Sequence, residues 1–197
     1  YTRLRYFRGF GECAYKMIIK NAEFYKSIKN KKDYFNEELP EIAVVGKSNV
    51  GKSSLINMLT RNSKLARVSK QPGKTRLINY FLINKSFYLV DLPGYGFARV
   101  SKAEKDSWDE MMTGYFESVK NLKLVIILMD IRHKPTADDV NMLRYVEYYA
   151  MPYMICATKA DKIAKSKRPT ELKRLRRDCP TSFSYKSVAI SNDGTGK

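Results

Sequence analysis

Gly46-Lys47-Ser48-Asn49-Val50-Gly51-Lys52-Ser53 fits the pattern G-x-x-x-x-G-K-[ST] without a mismatch. Its flanks agree with it. Glu41-Ile42-Ala43-Val44-Val45 reads as a short buried strand, and Ser54-Leu55-Ile56-Asn57-Met58-Leu59 has the apolar spacing of a helix. A strand, a glycine-containing loop and a helix N-terminus together make a phosphate cradle. Backbone N–H groups and the helix dipole face the anion, Lys52 adds a formal charge, and the Ser53 hydroxyl is suited to ligate magnesium.

Beyond this segment, strand and helix patterns alternate. Leu77 to Ile83 and Phe87 to Val90 read as strands joined by a polar turn at Asn84-Lys85-Ser86. Lys102 to Lys120 has helical spacing through Trp108, Met111, Met112, Tyr115, Phe116 and Val119, and a continuous apolar strand follows at Leu122 to Met129. Asp138 to Tyr149 is an amphipathic helix with Val140, Leu143, Tyr145, Val146 and Tyr149 as inward positions. Tyr153 to Ala157 is a strand, Thr170 to Asp178 a basic helix, and Phe183 to Ile190 a last strand. This order predicts an α/β fold, a mainly parallel six-stranded sheet with helices on both faces. Phosphate ligands then bind beyond the carboxyl ends of the strands. Residues 1–16 lack a pattern and read as an extension, disordered or non-native. Residues 17–197 read as one domain that stops before a closing helix.

Composition narrows the class. The 197 residues suffice for one buried core, and 44% hydrophobic with 29% charged residues describes a globular chain. The longest apolar run, Leu124 to Met129, is too short to cross a bilayer. No signal segment is visible, so a cytoplasmic location is the default expectation. Cys13, Cys156 and Cys179 are far apart and read as reduced thiols. His133 is the single histidine, which argues against histidine-cluster metal sites and a Ser/His triad. Lys plus Arg is 37 against 20 Asp plus Glu, a formal net charge of +17. That excess favours a polyanionic partner. It gathers at Lys162, Lys165, Lys167, Arg168, Lys173, Arg174, Arg176 and Arg177, with Lys20, Lys26, Lys29, Lys31 and Lys32 near the start.

Two further segments complete a site. Asp91-Leu92-Pro93-Gly94 ends a strand beyond the loop. Its carboxylate is suited to hold magnesium through water, and the Gly94 N–H to meet a γ-phosphate. Between them, Gln71-Pro72-Gly73-Lys74-Thr75 is a turn-forming loop whose Thr75 hydroxyl is a natural second metal ligand. Thr158-Lys159-Ala160-Asp161 ends a later strand. The Asp161 carboxylate can accept from guanine N1–H and the 2-amino group, which adenine does not match, while the Lys159 stem lies along the base.

These four elements in this order resemble the Ras-type G domain of P-loop NTPases, and within it the TrmE–Era–EngA–EngB–septin-like GTPases. The finer match is to the EngB family, through Gly46 to Ser54, Leu65 to Thr75, Asp91 to Ala98, and Met129-Asp130-Ile131-Arg132-His133. Lys47 stands where that family usually has Arg. Ile190-Ser191-Asn192 takes the place of its guanine-contacting loop, so that the Ser191 backbone N–H is carried over as the partner of guanine O6. The resemblance implies GTP binding with magnesium and hydrolysis to GDP and phosphate. Lys52, Thr75 and Gly94 would act on the triphosphate, and Ser53, Thr75 and Asp91 on the metal. Tyr95 stands where Ras-like enzymes carry a water-orienting glutamine, which implies slow intrinsic turnover. Asn49 is similar to an asparagine that binds potassium in related GTPases, so K+ beside it is expected to supply transition-state charge. The implied partner of this expected monomer is ribosomal RNA or a precursor of the large ribosomal subunit, with no membrane involved. Two rivals are an RNA-docking switch with negligible hydrolysis and another P-loop nucleotide-dependent enzyme, such as a kinase.

Overall fold

A computed structural model describes residues 17–29, 33, 38–66, 77–96, 101–179 and the backbone of 187–189. The strands are β1 (Ala22–Ile28), β2 (Glu41–Gly46), β3 (Ile78–Ile83), β4 (Phe87–Asp91), β5 (Leu122–Asp130), β6 (Tyr153–Thr158) and β7 (Ser187–Ala189). The helices are α1 (Lys52–Thr60), α2 (Lys102–Ser118), α3 (Ala137–Tyr148) and α4 (Arg168–Asp178). The strands form one sheet in the order β1-β3-β4-β2-β5-β6-β7. The pairs from β4 through β7 run parallel, and β1/β3 and β3/β4 are antiparallel. The α/β class is the one expected, with one correction: the described sheet has seven strands, not six. The added strand, β1, is an edge with a register shift between Phe24 and Lys26. Most of its side chains are exposed or half-exposed and it carries charge, so it lacks the period-2 apolar signal of a buried strand.

Alternation along β2 divides the core. Ala43 and Val45 join a cluster with Met112 and Tyr115 of α2, Leu143 and Val146 of α3, and Leu175 of α4. Val44 faces the other way, with Leu55 and Ile56 of α1. Helices therefore cover both faces. On α3, Leu143 and Val146 are buried as expected, whereas Val140, Tyr145 and Tyr149 are only half-buried and Met142 and Asp139 lie inside. The β3–β4 hairpin has a three-residue connection, Asn84-Lys85-Ser86. Asn84 and Lys85 take φ of 49° and 53°, and the Ser86 N–H donates to the Ile83 carbonyl. The Asn84 amide oxygen accepts from the N–H groups of Lys20 and Asn21, which ties the lead-in of β1 to that turn.

Central β2 has β4 on one side and β5 on the other, so the chain departs in opposite directions from the point where the phosphate loop begins. This is a topological switch point. Register then levels the strand ends: Asp91 lies opposite Val44, Leu128 opposite Gly46, and Thr158 opposite Asp130. The base of the sheet is pinned by a buried polar contact, in which the Tyr115 hydroxyl donates to Glu41 Oε2 at 2.9 Å. Tyr115→Phe removes one donor from a carboxylate that is 2% exposed. It is expected to cost about 1–3 kcal/mol in urea unfolding, with little change in GDP affinity.

Candidate functional site

Close packing forces a glycine at the end of β2. A Cβ on Gly46 would meet Val50 Cγ1 at 2.8 Å and Leu128 Cβ at 2.9 Å. The loop then curls over the strand end. The Val50 N–H donates to the Lys47 carbonyl at 3.0 Å, while Asn49 and Gly51 take φ of 63° and 111°. Gly51 is the N-cap of α1 and brings no side-chain oxygen, and the first turn has no acidic residue. The N–H groups of Lys52, Ser53 and Ser54 thus sit at the positive end of the helix dipole, available to an anion.

The segment after β4 is held against this loop. The Leu92 N–H donates to the Val44 carbonyl at 3.0 Å, and the Ser48 N–H donates to the Tyr95 carbonyl at 2.9 Å. A Cβ on Gly94 would lie 3.1 Å from the Gly46 carbonyl oxygen and 3.5 Å from the Ser48 nitrogen. Its lack of a side chain lets the two backbones approach. The Lys52 ammonium contacts the Asp91 carboxylate, each side chain being mostly buried. The cation of the glycine loop and the anion that ends β4 therefore occupy one spot.

The segment at the end of β6 closes the third side. The Thr158 hydroxyl donates to the Val50 carbonyl at 2.8 Å, joining the end of β6 to the phosphate loop. Lys159 takes φ of 58° and its ammonium lies 3.1 Å from Asp130 Oδ2. Asp161 follows on a short 3-10 turn, with the Lys162 ammonium 3.2 Å from its carboxylate. The structure thus brings Gly46 to Ser54, Asp91 to Gly94, and Thr158 to Asp161 together at one end of the sheet. Gly73, Lys74 and Thr75, like Ile190, Ser191 and Asn192, lie outside the described residues. So does Cys13. Burial pushes the thiols of Cys156 and Cys179 up to about 12, leaving them protonated.

Contacts centred on two carboxylates, Asp139 and Asp130, were not foreseen from sequence. The Tyr95 hydroxyl donates to Asp139 Oδ1 at 2.9 Å, and its ring meets Trp108 edge-on at 6.4 Å. The Trp108 indole N–H donates to the Pro93 carbonyl at 3.2 Å. Asp139 Oδ2 accepts from the Thr136 N–H and hydroxyl, closing the capping box of α3. Burial first, then the Asp139 carboxylate, pushes the Tyr95 phenol well above its usual range, so it stays a donor. Only half of this was readable: Thr136-x-x-Asp139 has the spacing of a helix cap, but nothing in it names Tyr95 as the partner. The other carboxylate, Asp130, binds Arg132 and Lys159 together.

A G-x-x-x-x-G-K-[ST] loop at a topological switch point, an aspartate ending the neighbouring strand and a Thr-Lys-Ala-Asp segment two strands away form the framework of a P-loop GTPase. The family described as "50S ribosome-binding GTPase" matches residues 41–159. The "Probable GTP-binding protein EngB" of Clostridium perfringens is 55% identical over 150 residues, 76% of each chain. That of Alkaliphilus metalliredigens is 48% identical over 176 residues, 89% of this chain and 85% of its own. A crystal structure of a probable GTP-binding protein EngB superposes with a TM-score of 0.63 at 26% identity, over 77% of this chain and 88% of that one. The chain belongs to the EngB family of GTP-binding proteins, and it is a GTPase.

Tyr95→Phe keeps the ring on Trp108 but releases the loop carrying Gly94 from α3. Single-turnover hydrolysis of GTP is expected to slow about tenfold through misplacement of that N–H. GDP affinity, read in the same preparation, should stay within about twofold.

Proposed function

We propose that this GTPase works in assembly of the large ribosomal subunit, in the cytoplasm, and turns over slowly when alone. The observation that carries the slow rate is Tyr95. At the position where Ras-like enzymes orient water, this side chain is 6% exposed and its hydroxyl is committed to Asp139. It offers nothing to an attacking water.

The residues present fit magnesium. Ser53 in the first turn of α1 and Asp91 at the end of β4 offer hard oxygen donors, and this ion takes one or two protein oxygens with phosphate and water for the rest. When bound, it would supply positive charge that offsets the negative charge of the phosphates. Ser53 would ligate it, Asp91 would hold it through water, and Thr75 would add a second hydroxyl. Lys52, now against Asp91, would turn to the β/γ oxygens as the triphosphate arrives. The N–H groups of the first turn of α1 bind the phosphates, and the Gly94 N–H meets the γ-phosphate. Loss of that phosphate would release the segments around Thr75 and Gly94. Asn49, exposed at the rim of the loop, would hold K+ close to the transferred group. Turnover is accordingly expected to fall at least about tenfold when sodium replaces potassium, the share of one transition-state charge donor. Equal turnover in the two salts would remove the ion from the scheme.

Ribosome docking is supported by the family's description and by the placement of charge. Lys162, Lys165, Lys167, Lys173, Arg176 and Arg177 are exposed around α4. Arg174 is not part of that face. Its guanidinium turns inward, donating to the carbonyls of Ile131 and His133 and pairing with Glu171 at 2.6 Å. Phosphate contacts from such a surface position a protein without reading sequence. The expected outcome is that 50S-type particles co-sediment with the protein in GTP and not in GDP. Binding should fall steeply with salt, and replacing Lys173, Arg176 and Arg177 by alanine should lower the salt slope by about 0.7–0.9 per lost phosphate contact. Co-sedimentation indifferent to nucleotide and to salt would count against the assignment.

A further inference from the structure

We propose that Asp130 is a positioning residue for guanine recognition, anchoring the Lys159 side chain in the place from which its stem covers the base. Register sets this up. Asp130 ends β5 directly opposite Thr158 at the end of β6, so its carboxylate lies beside the first residue of the base-reading segment. Oδ2 is 3.1 Å from the Lys159 ammonium and accepts from Arg132 Nη2 at 2.7 Å. Oδ1 accepts from Arg132 Nε at 2.9 Å and from its backbone N–H at 3.1 Å. The carboxylate is thus gripped on one side by a bidentate guanidinium and presents the other to Lys159.

The loop that carries it is itself fixed. The Ile131 N–H donates to the Thr158 carbonyl at 3.1 Å, and the His133 N–H to the Asp130 carbonyl at 3.2 Å. From α4, Arg174 donates to the carbonyls of Ile131 and His133, at 3.2 and 3.3 Å. Burial opposes ionisation of Asp130, but the hydrogen bonds from Arg132 and the pull of Lys159 outweigh it and hold its carboxyl well below the usual carboxylate range. The anchor is therefore charged wherever the protein is folded near neutrality.

The need for an anchor is physical. Lys159 has a flexible four-carbon stem on a backbone already in the left-handed region, and ordering such a stem against a base costs rotamer entropy at the moment of binding. A stem ordered beforehand avoids that cost, which is the general gain of preorganisation. Asp130 does not touch the nucleotide in this scheme. It acts through Lys159, so it strengthens GTP and GDP alike, while Asp161 alone chooses the base. The inference rests on the base being read at Lys159 and Asp161.

The test is a double-mutant cycle on the full chain with magnesium, read as calorimetric affinity for GDP and GTP. Asp130→Asn is expected to weaken both nucleotides about tenfold, the share of one immobilised side chain, with kcat at saturating GTP unchanged. Lys159→Met keeps the stem but cannot reach the anchor, and should lose at least as much. The double variant should bind no worse than Lys159→Met. Losses that multiply, or an Asp130→Asn protein with wild-type affinity, would overturn the proposal. Should Asp130→Asn fail to fold, Lys159→Met alone decides against it by retaining wild-type affinity. Wild-type binding in the same titrations checks the base site separately from Asp130.

Discussion

Gly46 stands where the end of the central strand, the loop that follows it and the neighbouring β5 come closer together than any side chain would allow. Its missing Cβ lets the phosphate loop fold back over β2, with Val50 buried beneath. Everything around the nucleotide end then has something to attach to. Thr158 bonds the Val50 carbonyl, and the Ser48 N–H takes the Tyr95 carbonyl. An alanine here would displace either the loop or β5, and with it the contact from each side.

The second feature is that single groups serve two neighbours. Asp139 uses one carboxylate oxygen to cap α3 and the other to hold Tyr95. Trp108 stacks edge-on against Tyr95 and bonds the Pro93 carbonyl. The segment carrying Gly94 is consequently tied to α2 and α3, two of the helices on that face of the sheet, and a shift of Gly94 cannot leave them undisturbed. Buried networks in which every member has a partner behave as two-state elements more than as springs. Asp130 repeats the arrangement at the end of β5, shared between Arg132 and Lys159.

The basic helix shows how far composition carries. A run of cations at Lys162 to Arg177 reads as one polyanion-binding face, yet it is split by helix geometry. Arg174 lies on the inward side of α4 near buried Leu175 and spends its guanidinium on backbone carbonyls, while Lys173, Arg176 and Arg177 remain outside. Charge was countable from sequence. Its direction was set by the 3.6-residue period against a particular sheet.

Legible in the amino-acid sequence alone were the strand-loop-helix around Gly46 to Ser53, the order of the Asp91 to Gly94 and Thr158 to Asp161 segments after it, and the alternation that makes an α/β sheet. These are legible because each is set within a few residues, by chirality, glycine freedom or apolar period. The tertiary structure alone decided that Tyr95 belongs to Asp139, that Asp130 belongs to Lys159, that Arg174 faces inward, and that residues 22–28 add an edge strand. Each joins positions tens of residues apart along the chain. Such pairs exist only once strand order and register have brought the carboxyl ends of β4, β5 and β6 level with the phosphate loop.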